Sequence, residues 1–249
     1  MSQEETVSRD IDSPMNDIDD SEIKSNKNDD VDEGSLPDTI VSSIELVKLK
    51  NVTNVHCRND EDEREECKEE TDRRIKHVLD FWFGDPDDSD FLQPKSFWYG
   101  STIEQDDYVR ENLCEDYEDA RKGALDHWSK SINGAIALIL LLDQVPRNIY
   151  RDQPKSFETD EKALEIARDV VNRGWDRNQP NIIRRYIYSP FNHSENLADQ
   201  ERSVELYTDI GEKEHLYWAK NFHAIIKAYG RFPHRDRILG RRRSPYRNK

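Results

Sequence analysis

All 23 aromatic residues of this 249-residue chain lie after position 72. That asymmetry limits where a core can form. The same first 72 residues carry 23 Asp and Glu against 8 Lys and Arg, whereas the remainder carries 30 against 29. A segment with high net charge and no aromatic side chain cannot bury enough apolar surface to offset the entropy of ordering it. The expected organisation is a disordered acidic extension over 1–72, a folded domain over 73–241 and a short basic tail over 242–249. The apolar island TIVSSIELVKLKNV at 39–52 is the exception within the extension, and its spacing fits a helix and a strand equally well.

The acidic balance argues against attraction to nucleic acid or anionic membranes. The longest apolar run, AIALILLL at 135–142, is too short to span a bilayer. No apolar segment near the start reads as a secretory signal. The three cysteines, Cys57, Cys67 and Cys114, are odd in number and two fall in the extension, so they form no disulfide framework. Neither they nor the histidines follow a zinc-ligand spacing. The expectation is a cytoplasmic chain with no cofactor and no metal, a nuclear location being the alternative that the basic run Arg241, Arg242 and Arg243 leaves open.

From residue 73 onward the pattern is helical. Ile75, Val78, Leu79 and Trp82 line one face of an opening helix that Gly84 ends. Residues 85–101 read as a loop. Val109, Leu113, Tyr117 and Ala120 mark a helix over 103–122. Asn133 to Leu142 is apolar all round and predicts a buried central helix, after which Pro146 is expected to turn the chain near Asp143, Gln144 and Val145. Further helices are expected over 156–173, over 181–189 up to a break at Pro190, over about 195–209 and over 212–229. No convincing strand alternation appears. The fold class is all-α, with six to eight helices.

Three segments mix titratable groups with apolar ones, and buried polar groups must find partners. In LLDQVPRNIYR (141–151), Asp143, Gln144, Arg147 and Asn148 emerge from the apolar helix. They form either a salt bridge that pins a proline turn or a guanidinium fork for an anion. In SPFNHSENLADQ (189–200), Ser194 reads as a helix N-cap with Glu195 at the positive helix end. That role does not account for His193, Asp199 or Gln200. In FHAIIKAYGRFPHRDRILGR (222–241), His223 sits on an apolar helix, while Arg231, His234 and Arg235 gather where they could either lock the last helix or hold an anion.

Taken together, VLDFWFG (78–84), LLDQVPRNIYR, the Phe157/Asp160/Ala163 pattern, YSPFNHSENLADQ (188–200) and GRFPHRDRILGR (230–241) resemble the bacterial domain-of-unknown-function family 924 over about 75–241. The resemblance implies a tetratricopeptide-like helical array and no reaction. This chain departs from the family pattern at Asp236, where asparagine is favoured. It departs again after Arg241, where RRSPYRNK stands in place of an acidic helical segment. Two function classes are open, and the fold class favours the first. One is a helical module for a protein or peptide partner. The other is a site for a small anionic ligand, binding or hydrolytic, built from the His, Asp, Glu and Arg residues of the three segments.

Overall fold

A computed structural model describes residues 61–98 and 102–242 of the chain. The 39–52 island, Cys57 and the basic end from Arg243 lie outside the described residues, as does the extension up to residue 60. Every regular element among the described residues is helical. Helix α1 spans Glu61–Phe83 and so starts before the position expected from its apolar face, because its first turns, EDEREECKEE, are rich in good helix formers. Its residues to Glu70 belong to a separate unit, and the helical domain is the unit from Thr71 onward.

Within that unit α1 buries Ile75, Val78, Trp82 and Phe83. Gly84 ends it at φ +90°, and a Cβ there would lie 3.2 Å from the Phe91 backbone. The following loop returns Phe97 and Trp98 to the core, where Trp82, Phe97, Trp98 and Tyr186 meet edge to face. Helix α2, Ile103–Lys122, opens with a capping box between Thr102 and Gln105 and buries Val109, Leu113, Tyr117 and Ala120.

Helix α3, Ile132–Ile139, is the centre of the domain, and all of Ala135–Ile139 is buried. A Cβ on Gly134 would come within 2.2 Å of the Trp128 carbonyl, so only glycine lets α3 approach that closely. The chain does not turn at Pro146. It continues through one π turn, Leu140–Gln144, into helix α4, Val145–Ile149. Proline is tolerated because it stands at the exit of the π turn, where the regular i−4 ladder is already interrupted. The Leu142 carbonyl, whose i+4 neighbour is this proline, accepts instead from the Thr159 hydroxyl at 2.5 Å.

Helix α5 runs Asp160–Asn172, after a short 3₁₀ turn at Pro154–Phe157 that the sequence pattern merged with it. Helix α6 runs Asn181–His193, straight through Pro190. The expected break is absent; the carbonyl that Pro190 cannot serve, that of Tyr186, lies 2.9 Å from the Ser189 hydroxyl, which shares its one proton between this oxygen and the nearer Asp143 Oδ2 at 2.6 Å. Helices α7 (Leu197–Ile210), α8 (Lys213–Tyr229) and α9 (Arg235–Ile238) complete the chain. Successive helices from α5 to α8 pack against one another, and α5 and α6 also pack on α3. No helix among the described residues is long and apolar enough to cross a membrane.

Candidate functional site

The π turn places Asp143 in the middle of the core with no exposed surface. A carboxylate in that position requires donors on every side, and the neighbouring helices supply them. Gln144 Nε2 donates to Oδ2 at 2.6 Å, and the Ser189 hydroxyl lies 2.6 Å from the same oxygen. His193 Nδ1 bonds Oδ1 at 2.7 Å. Arg147, itself 3% exposed, stands 3.6 Å from Oδ1 and donates to the Asp143 carbonyl at 2.8 Å. Burial alone would raise the Asp143 carboxyl. The charges of His193 and Arg147, with hydrogen bonds from His193 and Ser189, outweigh it and hold the group well below the usual carboxylate range.

Arg147 also donates to Asp160 Oδ1 at 3.0 Å, at the start of α5. Asp160 Oδ2 accepts from Arg235 Nη1 at 3.2 Å, and the same nitrogen donates to the His193 carbonyl at 3.2 Å. One carboxylate thus bridges two buried guanidiniums. Arg235 is further sandwiched between Phe157 and Phe232, 4.5 and 4.7 Å from the ring centroids. Glu195 accepts both carboxylate bonds from Arg241 Nη1, at 2.9 and 2.8 Å, and takes the Phe232 N–H at 2.9 Å. These pairs tie the C-terminal segment across the end of α6.

Between that segment, the start of α5 and the end of α6 lies a cleft of about 360 Å³. His193, Ser194, Glu195, Arg235 and Arg241 face it, with Phe157, Leu164 and Pro190 among its apolar walls. Of the residues singled out in the sequence, Asp143, Gln144, Arg147, His193, Glu195 and Arg235 therefore belong to one connected site.

The others are used elsewhere. Asn148 donates to the Phe97 carbonyl and to Asp106, on the α2 side. Asp199 holds Arg168 through both oxygens, at 2.8 and 2.9 Å, and accepts from Ser194 at 2.7 Å. Gln200 is fully buried and donates through Nε2 to the carbonyls of Phe191, Asn192 and Ser194. It caps the end of α6 and so fixes the turn that carries His193. Arg231 pairs with Asp236 at 2.9 Å. His234 packs 5.4 Å from the Phe232 ring, and His223 stays on α8; neither lines the cleft.

The expected cap also shifts. Asn196, not Ser194, caps α7, accepting the Ala198 N–H at 2.9 Å, and Glu195 is drawn to Arg241 instead of the helix end.

Asp160, Ser189 and Arg241 were not among the sequence candidates. Asp160 had a signal, since it belongs to the pattern that carried the family resemblance, but its position reads as an ordinary first-turn acid. Among the described residues no group of three or more His, Cys, Asp or Glu side chains is arranged to hold a metal ion.

Comparison with known proteins agrees with this geometry in fold and leaves the chemistry open. The sequence model for "Bacterial protein of unknown function (DUF924)" matches residues 78–248, through the basic end. A solved structure, that of a protein of unknown function, ATU0120, from Agrobacterium tumefaciens, is 30% identical with a TM-score of 0.63, covering 70% of this chain and 94% of that one. No curated protein matches the chain.

Proposed function

The chain belongs to the DUF924 family of bacterial proteins of unknown function, and we propose that its cleft is a small-molecule site that takes an anionic ligand. The observation that carries this reading is the pairing of His193 with a fully buried Asp143 at 2.7 Å, on the wall of a cleft that also presents Arg235 and Arg241. A carboxylate on one imidazole nitrogen fixes the ring's orientation and tautomer, the arrangement used wherever a histidine must exchange a proton with a ligand or a water. Arg241 supplies a partly exposed cation to the same cleft, and Arg235 a buried one.

The serial packing of α5 to α8 supports the alternative of a peptide-binding array. The convergence of ionisable groups in one cleft favours the small ligand. The test is a thermal-shift panel of short carboxylates and phosphomonoesters on the full chain, repeated with His193→Asn, which keeps an N–H for Asp143, and with Arg241→Gln. A ligand that stabilises the protein and loses its effect in both variants supports the site. A panel without any stabilising compound, or shifts that survive both substitutions, overturns it.

A further inference from the structure

The cleft is not uniformly cationic. Its lining holds four carboxylates, those of Glu158, Asp160, Glu161 and Glu195, against the two guanidiniums of Arg235 and Arg241. Each of the four is paired with a guanidinium, Glu158 with Arg121, Asp160 with Arg147 and Arg235, Glu161 with Arg168 and Glu195 with Arg241, so the cleft presents both signs of charge. His193 and Arg235, 12% and 4% exposed in their side chains, mark the deep end, while Glu158 and Glu161, 46% and 73% exposed, stand at the mouth.

Arg241, Glu158 and Glu161 keep bonding capacity after their internal pairs are made. Arg241 contacts Glu195 through Nη1 alone, so Nε and Nη2 engage no partner among the described residues. Glu158 gives Oε1 to Arg121 at 3.0 Å, and Glu161 gives Oε1 to Arg168 at 3.2 Å. The Oε2 atom of each accepts nothing among the described residues. Such exposed pairs are weak and exchange readily with an incoming cation. The lining also has an apolar part, with Phe157, Leu164 and Pro190.

We propose that the ligand is dipolar: a carboxylate or phosphate end on Arg241 beside His193, a hydrocarbon body along Phe157 and Leu164, and an ammonium end on Glu158 and Glu161. This rests on the reading of the cleft as an anion site and adds the amine pole to it. The ammonium takes the Oε2 atoms of Glu158 and Glu161 that their internal pairs leave unused, and the apolar wall sets a spacer between the two ends.

The experiment is isothermal titration of the full chain with straight-chain ω-amino acids from β-alanine to ω-aminocaprylate, each beside the fatty acid and the alkylamine of the same length. The best ω-amino acid is expected to bind at least roughly fivefold more tightly than its matched fatty acid, the size of one or two exposed ion pairs. The double substitution Glu158→Gln with Glu161→Gln should remove that preference and leave fatty-acid binding unchanged or improved. Equal binding of amino acid and fatty acid, with both lost in Arg241→Gln, overturns the dipolar ligand and leaves the anion site standing. Alkylamines that bind as well as the amino acids, with Arg241→Gln silent, overturn both, as does a series in which nothing binds.

Discussion

Replacing Asp143 by Asn keeps the shape of the side chain and removes its charge, so it isolates what the carboxylate does. The amide oxygen can take the place of Oδ2, accepting from Gln144 and Ser189, each 2.6 Å from that atom in the native protein. The amide nitrogen then faces His193 Nδ1, 2.7 Å from Oδ1 in the native protein. It can bond there only if the histidine carries its proton on Nε2. The variant is thus expected to fold with His193 as the Nε2–H tautomer. The energetic loss falls on Arg147, which is 3% exposed and keeps its pair with Asp160 at 3.0 Å.

Removing one partner of a buried pair costs about 3–5 kcal/mol, and the retained Asp160 contact brings the expected loss to roughly 2–3 kcal/mol. For a domain of this size that is a fall in Tm of roughly 5–10 °C.

The measurement is urea unfolding followed by tryptophan fluorescence, since Trp82, Trp98 and Trp128 are all buried. Because the Asp143 carboxyl is held low in the fold, its contribution is complete above the ordinary carboxylate value and is lost as the pH falls through the folded one. The gap between native protein and variant should therefore be full at neutral pH and narrow in acid. Adding Arg147→Met should cost less than the two single losses combined, since no unpaired buried charge then remains. An Asn variant as stable as the native protein at neutral pH, or a gap that widens in acid, would refute the reasoning.

Two further outcomes concern other parts of the molecule. Thr159→Val leaves the Leu142 carbonyl without its hydroxyl donor and should cost about 1–2 kcal/mol in urea unfolding, whereas Thr159→Ser should cost much less; equal losses for the two would mean that the methyl and not the bond matters. His215 is pushed down to about 4 by burial and by the Arg185 guanidinium, which lies 2.7 Å from its Nε2. Its contribution is complete above its unfolded value and is lost as the pH falls toward 4. Relative to His215→Gln, the native protein should lose roughly 2–3 kcal/mol across that window; parallel curves would remove His215 from the acid response.

Much of the helical frame was legible because it depends on spacing alone. Val109, Leu113, Tyr117 and Ala120, read as one face from their period, are all fully buried on α2. The prolines were not legible. Pro146 and Pro190 each remove a donor, which reads as a break, but the group that takes over is a hydroxyl whose position depends on the tertiary fold or on a rotamer. Thr159 reaches the Leu142 carbonyl from another segment, and Ser189 reaches back one turn to Tyr186. The start of α7 failed for a local reason. Ser194 and Asn196 are both good cap residues, and nothing in the sequence near them chooses between the two. The choice is made by Asp199, which takes the Ser194 hydroxyl, and by Arg241, which takes Glu195. Within the site, Asp143, Arg147 and His193 declared themselves by being polar inside apolar runs, whereas Asp160 and Arg241 looked like an ordinary helix-start acid and a tail base.

The cost of this arrangement bears on its role. A carboxylate with no exposed surface, set among apolar side chains, is a poor way to stabilise a core, because well-packed apolar residues of similar volume do as well or better. Yet the only π turn among the described residues is the one that carries Asp143 and Gln144. A π turn inserts one residue and rotates the downstream residues by about 100° around the helix axis, which sets Arg147 toward α5 while Asp143 faces the end of α6. Ser189, beside the proline in α6, and Gln200, under its last turn, then hold His193 against the carboxylate. Three departures from regular helix chemistry (the π turn, the proline inside α6 and the buried charge) adjoin one imidazole at a cleft. Packing alone gives no reason for that coincidence, and irregularities of this kind gather where a fold gives up stability for a site.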